Sequence, residues 1–211
     1  MISHKHKCIF IHIPKCAGTS IEEALGHFDG YNGKRSGQDH RTIRGLESPL
    51  TYNFIFSNKS NLISFLKRLK RKFIKRKNPN NNLMVNSNEY KTYFKFTIVR
   101  NPWARVYSAY KNIMRDEIHM KARGITDDLQ FDDFVKNYAA TDGLTVPAIE
   151  YLKNYKGNVD MDYIGRFENL EIDFQNICKK LKLTNMSLPH KIKAKNKEDY
   201  RDFYNKKQLI W

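Results

Sequence analysis

Two short runs of β-branched and aromatic residues constrain the fold of this chain more than any other feature. CIFIHI occupies residues 8 to 13 and YFKFTIV residues 93 to 99. Each reads as a buried strand, being short, apolar and β-prone. Each stops at polar punctuation and gives way to a helical pattern. After the first run, Thr19 or Ser20 is placed to cap a helix whose first turn carries Glu22 and Glu23, suited to the positive end of its dipole. After the second, Asn101 is the expected cap of the helix WARVYSAYKNIMRDEI. Pro102 takes its first position, where a missing N–H costs nothing. Short helices follow at 131–140 and 148–155, then a strand, MDYIGRF, at 161–167. The helix at 169–183 sets Leu170, Phe174, Ile177 and Leu181 on one stripe. Strands alternating with helices predict an α/β fold, a parallel sheet flanked by helices. A length of 211 residues without internal repeats predicts a single domain.

One segment breaks this rhythm. Residues 52–88 read as an insertion between the first two strands, helical over 59–77 and ending in a polar linker, NPNNNLMVNSN. The helix aligns Leu62, Phe65, Leu66, Leu69 and Phe73 on one face, and eight of the eleven residues from Lys67 to Lys77 are basic. The apolar face is expected to pack on the domain. The charge is left for an acidic acceptor or for peripheral contact with an anionic membrane.

That segment carries much of an unusual charge. The chain has 38 Lys+Arg against 22 Asp+Glu, a formal net charge of +16, which favours anionic partners. Cys8, Cys16 and Cys178 are too far apart for a closed disulfide framework or a paired-cysteine metal site. No run is long enough for a membrane span. The chain enters its first strand directly, with no signal-peptide layout, and His4 and His6 are expected on a frayed terminus. A bacterial cytoplasmic location is expected. In a lumenal chain, Asn58-Lys59-Ser60 and Asn185-Met186-Ser187 would be glycosylation sequons.

The loop after the first strand suggests chemistry. A strand, a lysine, a glycine and two hydroxyls before a helix form a device for holding phosphate-like anions. In HIPKCAGTS the lysine precedes the glycine, so the GxxxxGK[ST] order of ordinary ATPases and GTPases is not met. HIPKCAGTS resembles instead the 5′-phosphosulfate loop of sulfotransferases that use 3′-phosphoadenosine 5′-phosphosulfate (PAPS). FTIVRNPWARVYSAY resembles the 3′-phosphate motif of that family. YIGRFENL resembles a block found particularly in its carbohydrate branch.

The resemblance implies a P-loop-NTPase-like fold, PAPS as donor, 3′-phosphoadenosine 5′-phosphate (PAP) as product, and no metal. It assigns the donor to Lys15, Cys16, Ala17, Gly18, Thr19 and Ser20 at the 5′ end, and to Arg100 and Ser108 at the 3′-phosphate. Arg166 either approaches the nucleotide or ends a strand in an ion pair. Lys15 is the catalytic cation at the leaving phosphate. His40, followed by Thr42 as in bacterial members, is the general base toward a carbohydrate hydroxyl, with Glu47 the weaker alternative and Asp39 pointing elsewhere. His12 is read as shaping the loop. Cys16 stands where threonine is more usual. Trp103, Tyr107 and Tyr110 are read as core rather than adenine platforms. Near the C-terminus, Lys193, Lys195 and Asn196 resemble a loop closing over the nucleotide, with Tyr200 and Tyr204 packing beneath. The competing functions are a P-loop-type kinase or hydrolase and a polyanion-binding protein. No specific nucleic-acid partner is expected.

Overall fold

A computed structural model describes residues 1–33, 37–50, 52–139, 143–189 and 199–205. Lys193, Lys195 and Asn196 lie outside the described residues. The chain packs as two compact units, one of Met1–Val99 with Ala148–Lys191, the other of Arg100–Pro147 with Ile192–Trp211. In chain order, the first unit contributes helices α1 (Gly18–Ala24), α2 (Ile43–Leu46), α3 (Lys59–Phe73) and α4 (Ser87–Thr92). The second contributes α5 (Pro102–Met114), α6 (Glu117–Lys121) and α7 (Phe131–Asn137). The chain then returns to the first unit for α8 (Ala148–Leu152) and α9 (Leu170–Lys180).

The first unit is built on a sheet ordered β1 (Ile2–Ser3), β2 (Cys8–Ile11), β3 (Phe94–Val99), β4 (Tyr163–Arg166). β2, β3 and β4 are parallel, as the alternation of strands and helices predicts. Every residue of β2 is buried, and the Phe10 and Phe96 rings lie 5.1 Å apart across the β2–β3 pair. α9 packs Phe174 and Ile177, both fully buried, against this sheet. Gly165 permits the close approach: a Cβ there would lie 2.6 Å from Ile98 Cδ1 and 2.9 Å from Asp173 Cβ.

The N-terminus departs from the expected frayed end. Ile2 and Ser3 pair antiparallel with β2, Met1 and Ile2 are buried, and His4 Nδ1 lies 2.9 Å from the Tyr93 hydroxyl. Burial of two large apolar residues on a sheet edge outweighs the entropy of a loose end.

The insertion also differs. Its helix forms, started by Asn58, whose Oδ1 accepts the Asn61 N–H at 2.9 Å. The face turned to the protein, however, is largely polar; of the five apolar residues only Leu62 and Phe65 are half-buried. Asn61 is fully buried and donates to the carbonyls of Tyr155 (2.9 Å) and Phe54 (2.8 Å). Arg68 donates to the Glu47 carbonyl, and Arg71 stands 3.9 Å from the Asp39 carboxylate. Leu66 and Phe73 remain 54% and 86% exposed. The stretch read as a polar linker is a clamp. Asn78 is fully buried and donates to the carbonyls of His27 (3.1 Å) and Gly37 (2.9 Å), and Asn81 donates to Gly37 as well (3.1 Å). Asparagines suit this work because one amide can satisfy two loop carbonyls that burial would otherwise strand.

The second unit is organised by α5. Asn101 Oδ1 accepts from the N–H groups of Trp103 (3.1 Å) and Ala104 (3.2 Å), with Pro102 at the first position, as the sequence predicts. Tyr107 and Tyr110 belong to the aromatic core. Tyr107 meets Phe131 edge-on at 5.4 Å, and the Tyr110 hydroxyl donates to the Leu129 carbonyl at 2.9 Å. Tyr204 packs on Phe131 at 4.8 Å and donates its hydroxyl to the Trp103 carbonyl at 2.9 Å. No helix among the described residues is long and apolar enough to cross a membrane.

Candidate active site

In a parallel sheet the C-terminal strand ends share one edge, the usual place for a ligand. β2 ends there in the turn Pro14–Ala17, which delivers the chain into α1. Lys15 and Ala17 both adopt left-handed backbone, at φ 67° and 60°. For residues with a Cβ, each such conformation costs about 1–3 kcal/mol, and such strain concentrates at functional sites. Left-handed residues alternating with ordinary ones turn successive N–H groups to one side, the concavity that receives anions.

Ala17 also occupies the cap position of α1, and no side chain caps that helix. The expected cap by Thr19 or Ser20 is therefore corrected. The helix begins at Gly18, so both hydroxyl residues lie inside its first turn, half-buried. Glu22 and Glu23 consequently fall beyond that turn. Cys16 is 1% exposed, and its thiol donates to the Pro14 carbonyl at 3.6 Å. That contact braces the turn.

Glu22 has a different role, which the sequence reading missed. It is fully buried, and its Oε1 accepts the Asp39 N–H at 3.0 Å and stands 3.2 Å from His12 Nδ1. The His12 contact is an ion pair whenever that ring is protonated. Burial pushes the Glu22 carboxyl up, but His12, the amino terminus and His27 together outweigh this and hold it below its ordinary range. The imidazole of His12 lies directly over Gly18. A Cβ at that glycine would sit 2.0 Å from His12 Cδ2, so no other residue fits without displacing the ring. Gly18 and Glu22 are four residues apart, on one helix face. That spacing, read together with His12, was the available signal.

This arrangement fixes His40. Its ring centroid lies 4.2 Å from that of His12, and its Nδ1 is 3.3 Å from the His12 carbonyl. A carbonyl can only accept, so Nδ1 carries the proton and Nε2 keeps its lone pair. Desolvation by the surrounding protein, then the charge of His12, lowers the His40 pKa to about 4. The residue as a whole stays exposed. His40 is thus neutral at physiological pH with an accepting nitrogen away from the His12 carbonyl.

The neighbouring carboxylates are committed elsewhere. Asp39 is buried against Arg41, with contacts of 2.6 and 2.9 Å, and the amino terminus at 3.3 Å. Burial raises its pKa, but these two cations outweigh it and hold Asp39 ionised far below the carboxylate range. Glu47 is buried and accepts the Tyr155 N–H at 2.8 Å. Arg166 ends β4 with an exposed side chain, and its N–H is held by Asp173 at 2.7 Å.

The first unit therefore brings His40 against His12, whose ring covers Gly18, and places Arg166 at the same sheet edge. Arg100 and Ser108 belong to the second unit, at the lead into α5 and nearly two turns along it. Both are half-buried.

The Sulfotransferase family matches residues 1–208 of this chain. The chain belongs to that family, and is by that membership a transferase of the sulfuryl type. An uncharacterised protein from Archaeoglobus fulgidus is 38% identical over 92 residues, which cover 43% of this chain and 69% of that one. No solved structure matches the chain.

Proposed function

We propose that this sulfotransferase takes the sulfuryl group from PAPS and gives it to a hydroxyl of a carbohydrate acceptor. The observation that carries the reading is the strained Pro14–Ala17 turn and the uncapped start of α1, with His40 held against His12, whose ring covers Gly18. A P-loop-like anion cradle is what such a turn makes, and a metal ion is not required for it. PAPS, when bound, supplies the sulfuryl group and an anionic phosphate as leaving group. Backbone N–H groups of Lys15–Ser20 and the hydroxyls of Thr19 and Ser20 orient the 5′ end. The Lys15 ammonium meets charge that develops on the leaving oxygen, where electrostatic stabilisation has its largest effect. His40 Nε2 takes the proton of the acceptor hydroxyl as its oxygen bonds to sulfur and the old S–O bond breaks. Arg100 and Ser108 recognise the 3′-phosphate, in keeping with the family resemblance.

Arg100 supplies the test. A guanidinium paired with phosphate contributes about 1.5–3 kcal/mol. Arg100→Ala should therefore weaken PAP roughly tenfold to a hundredfold in titration calorimetry while leaving AMP nearly unchanged. Equal losses for both nucleotides would remove Arg100 from a 3′-phosphate site.

A further inference from the structure

Between Glu47 and Glu89 the chain has nine basic residues and no acidic one. This stretch, and α3 above all, shows an inversion that the proposed chemistry does not use. Its hydrogen-bonding residues, Asn61 and Arg68, face the protein, Leu62 and Phe65 are half-buried, and its other apolar residues face solvent. Leu66 is 54% and Phe73 86% exposed, with Ile63 and Leu69 also open, and Phe56 just before the helix is 79% exposed. On a helical projection Ile63, Leu66, Leu69 and Phe73 share one side of α3, with Lys59 and Lys70 among them and Lys67 and Lys72 to either side. All four lysines are exposed.

Large apolar side chains left open together on a folded domain mark a docking surface. The chemistry of its rim selects the occupant. A second copy of the chain would set one lysine-rich face against another, which like-charge repulsion opposes. A soluble acidic polysaccharide would satisfy the lysines but leave the leucines and phenylalanines in water. An anionic bilayer surface satisfies both, because the apolar stripe enters the acyl boundary while the lysines reach the headgroups.

We infer that α3, with the residues just before it, docks the protein on the surface of an anionic membrane. The inner side of the same helix holds the loop that carries His40, through Arg71 to Asp39 and Arg68 to Glu47. A bilayer on the outer side would lie roughly one helix diameter, about 10 Å, from that loop. This fits an acceptor presented at a membrane, such as a lipid-linked glycan. The docking itself is independent of the proposed reaction.

Co-sedimentation of the full chain with lipid vesicles tests it. Vesicles of phosphatidylcholine with about 30% phosphatidylglycerol should bind the protein at about 0.15 M salt, and pure phosphatidylcholine should bind it far less. The double variant Leu66→Glu/Phe73→Glu should lose roughly a hundredfold in partitioning, with an unchanged melting temperature because both side chains already face water. A second variant, Phe73→Trp, should shift its fluorescence to the blue on the anionic vesicles. Absence of vesicle binding, full binding by the double variant, or an unshifted tryptophan would each overturn the inference. So would a dimer in sedimentation velocity that the double variant abolishes while wild type ignores vesicles.

Discussion

Lys15→Ala is expected to lower sulfuryl transfer by at least about a thousandfold while the melting temperature hardly moves. The reasoning is electrostatic. Transfer moves charge onto an oxygen that was bridging, and one fixed cation there is worth several kcal/mol that water cannot replace in a crowded site. Alanine keeps a Cβ, so it meets the same left-handed strain that Lys15 already bears at φ 67°, and the turn has no new reason to change shape. Lys15 is half-buried, so trimming it leaves no cavity in the core. A rate within about tenfold of wild type would remove the ammonium from the leaving group.

His40→Ala is expected to lower turnover by about a hundredfold to ten-thousandfold with donor affinity largely unchanged. The residue is exposed and makes its one described ring–carbonyl contact to His12, so its loss should leave the fold in place. The pH dependence carries a sign. A base works in its unprotonated form, and desolvation of the His40 ring favours that form, lowering its pKa to about 4. The acidic limb of kcat/KM in wild type should therefore fall below the ordinary histidine range near 6.5, toward about 4, and should disappear in the alanine variant. A limb that persists unchanged without His40 would assign it to another group.

Much of this framework is legible in the sequence. The runs at 8–13 and 93–99 could be little else than buried strands, and Asn101 with Pro102 dictates a helix start by local chemistry alone. Errors arose where a polar side chain does something that periodicity does not register. The hydroxyls of Thr19 and Ser20 suggested a cap, but the preceding turn stores its constraint in the backbone of Lys15 and Ala17, and the helix starts earlier. Glu22 suggested a dipole partner. Its buried bonds to a loop amide and to His12 depend on residues 10 and 17 positions away, which no local pattern reports. α3 is the clearest case. An apolar stripe normally packs inward, yet Asn61, Arg68 and Arg71 find carbonyls and a carboxylate on the protein side, and those specific partners decide the orientation.

The central claim is a site for a nucleotide with a 3′-phosphate, and thermal shift with PAP against AMP, ADP and ATP with Mg²⁺ tests it most directly. A ligand that binds the native state raises the melting temperature by mass action, so the ranking reports selectivity. The account predicts that PAP stabilises the protein well beyond the other three. If ATP with Mg²⁺ stabilises it most, or if every polyanion shifts it equally and salt erases the effect, the claim is contradicted.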